Sequence, residues 1–283
     1  MPKKFAATSA SIGHPAEPGS KPRSGTGLKT RRQIVENWLP RYTGVPLEDF
    51  GDHILLTNFQ RYVTLFARWH RVPIKGKDKA MPSATSGRIT IINFGMGSAT
   101  AATVMDLLTA IKPKAVLFLG KCGGLKHRAE IGDLILPIAA IRGDGASNDY
   151  FPPEVPALPS FALQKAISTT IRDFARDYWT GTVYTTNRRV WEHDAKFKKY
   201  LRKLRPIAID METATIFMTG FFNEITTGVL LLVSDQPMIP EGVKTAESDA
   251  EVDENHVNDH LKIGIESLNQ LINQGLTLKH LKF

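Results

Sequence analysis

From residue 30 onward, short apolar runs alternate with helical patterns, and almost every run stops in a polar or glycine-rich corner. 'HILLTNF' leads into 'QRYVTLFARWH', 'GRITIINFGMGS' into 'SATAATVMDLLTAIK', and 'KAVLFLGKCGGL' is followed by 'GDLILPIAAI'. After the Pro-rich loop 'DYFPPEVPALPS' and the helical 'FALQKAISTTIRDFA', 'YWTGTVYTT' precedes 'WEHDAKFKKYLRKLR' and 'PIAID' precedes 'METATIFMTGFFNEI'. Last comes 'TGVLLLVSD', then a long amphipathic pattern, 'DENHVNDHLKIGIESLNQLINQG', read as one helix ended by Gly275. An opening helix, 'RRQIVENWLPRY', is expected to end at Pro40. Apolar strands interleaved with helices predict an α/β fold with a central, mostly parallel (mixed) sheet flanked by helices. No repeat or linker interrupts residues 30–283, which are expected to form a single domain.

The net charge of +8 invites a nucleic-acid partner, but its distribution argues against one. Residues 1–32 carry seven basic side chains against Glu17 alone, which leaves the rest of the chain at only +2. Residues 1–29, rich in Pro, Gly, Ser and Ala and without hydrophobic periodicity, are expected to be a disordered basic tail. No run approaches the ~18 apolar residues of a membrane helix, and the start has no signal-peptide core. The single Cys122 cannot form an intramolecular disulfide, so a cytoplasmic protein without membrane or nucleic-acid partners is expected.

Ligands of open α/β sheets sit where strands end in loops that lead to helices. Here those corners are 'TNFQR', 'NFGMGS', 'GKCGGL', 'VYTTNRR', 'IDMET' and 'VSDQP'. 'GMGSAT' keeps two of the three glycines of a dinucleotide fingerprint, with Thr100 in place of the third, and GxxxxGK[ST] is absent. Glycines 95, 97, 120, 123 and 124 are either tight turns or places where backbone N–H groups approach an anion or hydroxyls. Asp235 ends the apolar run 'VLLLVS', and Glu212 follows 'PIAIDM' in the same topological position. Alone, each reads as a turn or helix-start residue; together they suit general acid–base work on a small polar ligand. Cys122 stands alone and 'WEHD' reads as one turn of a charged helix, so no metal is expected.

The stretches 'NFGMGSATAATVMDLL', 'LFLGKCGGL', 'IGDLILP', 'AIDMETATIF' and 'LLLVSDQP' occur in the order found in the nucleoside phosphorylase and nucleosidase superfamily, which the chain resembles. With 'ENWLPRYTG', 'SNDYFPPEVPALPSFALQKAI', 'TTNRRVWEHD' and 'SDQPMIPEGVKT' it resembles specifically the short bacterial branch that cleaves AMP. The resemblance implies that Glu212 accepts hydrogen bonds from the ribose 2′- and 3′-hydroxyls, with Met211 packed on the sugar. It implies that Asp235, preceded by Ser234, protonates purine N7. Gly97, Tyr184 and Thr185 match positions near the sugar and the base. Phosphorolytic members hold phosphate with an arginine and a serine where this chain has Phe118 and Lys121. Water is therefore the expected nucleophile, without metal or organic cofactor, and phosphate is at most a modulator. Lys121 keeps one cation near the sugar for an anion. Arg188 is the preferred clamp for the 5′-phosphate, with Arg189, Arg61 and Arg41 as further candidates. Trp191 reads as core, and no residue of 'LLTNFQ' is suited to activate water. A homo-oligomer, by resemblance a hexamer, is expected. Phosphorolysis of a purine nucleoside or nucleotide, and AMP sensing without cleavage, remain as alternatives.

Overall fold

The architecture is that of a computed structural model describing residues 29–274. The expected tail, except its last residue, and the helix stop at Gly275 lie outside the described residues. In chain order the elements are α1 (Arg31–Thr43), β1 (His53–Thr57), α2 (Gln60–His70), β2 (Ser83–Ser86), β3 (Ile89–Asn93) and α3 (Ser98–Leu108). Then follow β4 (Ala115–Gly124), β5 (Leu134–Gly143), α4 (Phe161–Asp173), β6 (Trp179–Thr186), α5 (Ala195–Leu204) and β7 (Ala208–Asp210). The described chain closes with α6 (Thr213–Phe222), β8 (Thr227–Asp235), α7 (Ala246–Asn255) and α8 (Val257–Gln274).

The eight strands form one mixed sheet, as the alternation predicts. β1 is buried along its whole length and lies parallel between β3 and β4, which is why 'HILLT' lacks polar alternation. β2 adds an antiparallel edge to β3. Beyond β4 the sheet returns on itself. β4 pairs with β7, β7 with β6, β6 with β5, β5 with β8, and β8 again with β4. These five strands make a closed circuit, which leaves them no free edge. Helices cover both faces through apolar stripes. In α2, Tyr62, Val63 and Phe66 are buried at helical spacing. In α5, Phe197, Leu201 and Leu204 pack inward, and Asp194 caps the helix by accepting from the Phe197 N–H at 2.9 Å.

Four sequence expectations change. Pro40 lies inside α1, because its missing N–H removes only one helical bond and the helix runs on to Thr43. The C-terminal pattern divides at His256 into α7 and α8. 'WEH' is a loop, since Asp194 begins α5. 'GKCGG' is strand, and its glycines serve packing. A Cβ on Gly123 would lie 2.7 Å from the Pro237 ring, which crosses the strand there.

Phe118 is wholly buried, its ring 5.6 Å from that of Phe94. It belongs to the core and does not line the cavity described below. Phe118→Ala is expected to lower stability by about 3–5 kcal/mol. A reduced urea midpoint with an unchanged slope would report it.

Candidate active site

The C-terminal ends of β1, β4, β6, β7 and β8 and the turn after β3 converge on a cavity of about 220 Å³. Asp235 reaches it because β8 carries an extra residue. Cys122 pairs with Val233 but Gly123 pairs with Asp235, so Ser234 bulges out of the ladder. A bulge re-aims side chains that strict alternation would send to opposite faces. Both Ser234 and Asp235 consequently line the cavity, and the Ser234 hydroxyl donates to Asp235 Oδ1 at 2.7 Å. Burial pushes the Asp235 carboxyl up, opposed by the serine and by the charges of Lys244 and Arg189.

Glu212 enters from the junction of β7 and α6, and only 2% of it is exposed. Its Oε1 accepts the Gly97 N–H at 2.7 Å, and the Asn58 side chain, just past β1, also favours its charged form. Gly97 has φ +94°, a left-handed geometry that glycine adopts freely, and this turns its N–H toward the carboxylate. Burial first, and the Asp210 charge second, push the Glu212 carboxyl up to about 8. Asp210 is also raised by burial, but it is well supplied with donors. Its Oδ1 accepts from the Thr185 hydroxyl at 2.7 Å, and its Oδ2 from the Thr213 N–H at 2.8 Å and from the Thr213 hydroxyl. The acidic pair of 'IDMET' thus divides its work: Asp210 ties β6 and β7 to the start of α6, while Glu212 faces the cavity.

The expected cations are present but engaged. Lys121 lines the cavity, yet its ammonium lies 2.6 Å from Asp249 Oδ1 and 2.7 Å from Asp253 Oδ1, both on α7. A buried cation needs such partners, so Lys121 is not the open anion site it suggests in the sequence. Arg188 also lines the cavity, with its guanidinium paired to Asp194 at 3.0 Å and 5.3 Å from the Phe197 ring centre. Arg41 and Arg61 are not among the lining residues.

Of the residues anticipated, Asp235, Glu212, Met211, Ser234, Lys121 and Arg188 line the cavity, and Gly97 touches Glu212. Tyr184 and Thr185 do not line it. Tyr184 is buried, with its ring roughly perpendicular to those of Phe197 and Tyr200 of α5, at 5.7 and 6.3 Å between ring centres. The Thr185 hydroxyl is spent on Asp210. Trp191, read as core, is both buried and part of the wall. The sequence reading missed Asn58, Phe59 and Met96, although all three lie in strand-end corners it had marked. It also missed Lys244 and Asp249, which lie between β8 and α8, where no strand end marks them.

This mixed sheet, with its closed circuit and a strand-end cavity lined by the raised carboxyls of Asp210, Glu212 and Asp235, defines the class. A model of the phosphorylase superfamily matches residues 55–273, and the chain belongs to that family. The crystal structure of AMP nucleosidase from Bacteroides thetaiotaomicron VPI-5482 is 54% identical, with a TM-score of 0.78 over 87% of this chain and 99% of that one. The AMP nucleosidase of Escherichia coli (strain K12) is 31% identical over 285 residues, covering 84% of this chain. The chain spans 58% of that longer curated relative. A uridine phosphorylase from Vibrio fischeri ES114, 20% identical with a TM-score of 0.71 over 80% of this chain and 95% of that one, shares the fold.

Proposed function

We propose that the chain hydrolyses the N-glycosidic bond of AMP to adenine and ribose 5-phosphate. The observation that carries this reading is the meeting of Asp235 and Glu212, from β8 and the β7–α6 junction, on one cavity. Asp235 gives its proton to purine N7, so the base leaves neutral as the C1′–N9 bond breaks. The ionised Glu212 accepts from the two ribose hydroxyls and stabilises the positive charge growing on the sugar. Water adds to C1′ and releases a proton. No metal or organic cofactor enters this scheme. The 54% identity to a solved AMP nucleosidase and the apolar Phe118 both favour water over phosphate as nucleophile. Residues 30–283 are the catalytic unit in this reading, which also takes the protein as a cytoplasmic homo-oligomer, a hexamer by resemblance.

Product analysis with AMP, adenosine and IMP, with and without phosphate, tests the reading. Adenine and ribose 5-phosphate formed without phosphate are expected. A stoichiometric need for phosphate would turn the reading to phosphorolysis, and intact AMP with folded protein would turn it to sensing.

The two carboxyls work in opposite protonation states, which sets the pH dependence. The Glu212 carboxyl is pushed to about 8, so the charged form that grips ribose grows as pH rises toward that value. KM for AMP should therefore fall between about pH 6 and 8. Asp235 must keep its proton, so kcat should fall on the alkaline side. Initial rates across pH check both limbs, and a KM independent of pH would remove Glu212 as the titrating group.

A further inference from the structure

Every cation around the cavity already has a carboxylate partner. Lys121 is held by Asp249 and Asp253, Lys244 by Asp249 at 2.8 Å, Arg188 by Asp194, and Arg189 by Glu192 at 3.3 Å. AMP brings a phosphate of charge about −1.5 to −2. Such a group can enter a charge-balanced pocket only where a carboxylate yields its place, because a buried unpaired anion is strongly disfavoured.

The four cations are not equally free to change partners. Arg188 is held on two sides, by Asp194, which also caps α5, and by the Phe197 ring. Lys121 is buried between two acids. Lys244, although 5.8 Å from the Phe59 ring centre, and Arg189 differ from both in position. They line the main cavity and also a second one of about 500 Å³ beside α7, and Asp249 is the third residue the two cavities share. Room for a phosphate thus lies beside two cations: Lys244, which can turn away from Asp249 because Asp249 keeps Lys121, and Arg189, paired with Glu192. Both also line the cavity that Asp235 lines, and their charges oppose the rise of its carboxyl.

We propose that Lys244 and Arg189 are the specificity-determining clamp for the 5′-phosphate, and that Asp249 is the anion the phosphate displaces from Lys244. The proposal rests on AMP being the ligand and adds which residues distinguish it from adenosine. It replaces Arg188 as the clamp expected from sequence.

Dissociation constants and kcat/KM for AMP and adenosine, measured on wild type and on Lys244→Met, Arg189→Met, Arg188→Ala and Asp249→Asn, test it. Each of Lys244→Met and Arg189→Met should reduce the preference for AMP over adenosine about tenfold, the loss of one charge-assisted hydrogen bond, with adenosine binding unchanged. Asp249→Asn should tighten AMP roughly threefold by releasing Lys244. Arg188→Ala should move the preference least. The clamp is overturned if Arg188→Ala has the largest effect, or if the Lys244 and Arg189 variants weaken both ligands equally. Tightening absent from Asp249→Asn overturns the displacement step. Unchanged adenosine binding keeps a folding defect from passing as support. If wild type binds AMP tightly without cleaving it, hydrolysis falls while the binding constants still decide the clamp.

Discussion

Replacing Asp235 by asparagine is expected to lower kcat for AMP by about 10²–10⁴-fold. The dissociation constant for AMP should change by no more than about threefold. Asparagine keeps the shape and can still accept from the Ser234 hydroxyl, which lies 2.7 Å from Asp235 Oδ1. It can hold purine N7 with an amide N–H, but it has no proton to surrender as the glycosidic bond breaks. The wild-type carboxyl is suited to that task because burial raises its pKa, so it is protonated at a higher pH than a solvated aspartate. Single-turnover rates with calorimetric binding separate the two quantities. A rate within tenfold of wild type would take Asp235 out of the chemical step, and a parallel loss of binding would make it a substrate-positioning residue.

Glu212→Gln should cost about 10²–10³-fold in kcat/KM, the order seen when one preorganised electrostatic group is removed. The amide carries no charge to set against the forming oxocarbenium ion, and its NH₂ faces hydroxyls that need an acceptor. With 2′-deoxy-AMP, which lacks one of those hydroxyls, the same substitution should cost distinctly less, because the two changes remove one shared interaction. Equal losses on both nucleotides would deny the contact. Stability should move the other way. A carboxyl whose folded pKa lies near 8, against an ordinary 4.5, weakens the fold progressively as pH rises between those values. Glu212→Gln abolishes this dependence, so its melting temperature relative to wild type should climb from pH 5 to pH 8. A constant difference would show that the glutamate titrates normally.

Much of the site was legible because its chemistry lies at strand ends, and strand ends show in the sequence as apolar runs that stop. Asp235 after 'VLLLVS' and Glu212 after 'PIAID' stood out because charge next to a buried run needs a purpose. The same logic marked 'TNF' and 'GMG', but it did not choose Asn58, Phe59 and Met96 within them. Tyr184 was misplaced because a strand position does not reveal which helix covers it, and here the aromatics of α5 do. Lys121 lines the cavity, but its partners lie 128 and 132 residues away on α7, beyond the reach of any local pattern.

Local periodicity and composition alone determine that the chain builds strands and helices in alternation, with carboxylates presented at the strand tips. These features depend only on near neighbours along the chain and on how water treats apolar side chains. The tertiary structure alone decides that β4, β7, β6, β5 and β8 close on themselves, and that the bulge at Ser234 brings Asp235 to the cavity that Glu212 also lines. It alone sets an acid from α7 against Lys121 and Lys244. Those outcomes rest on hydrogen bonds and ion pairs between distant segments, whose energies exist only once packing has brought the partners within a few ångströms.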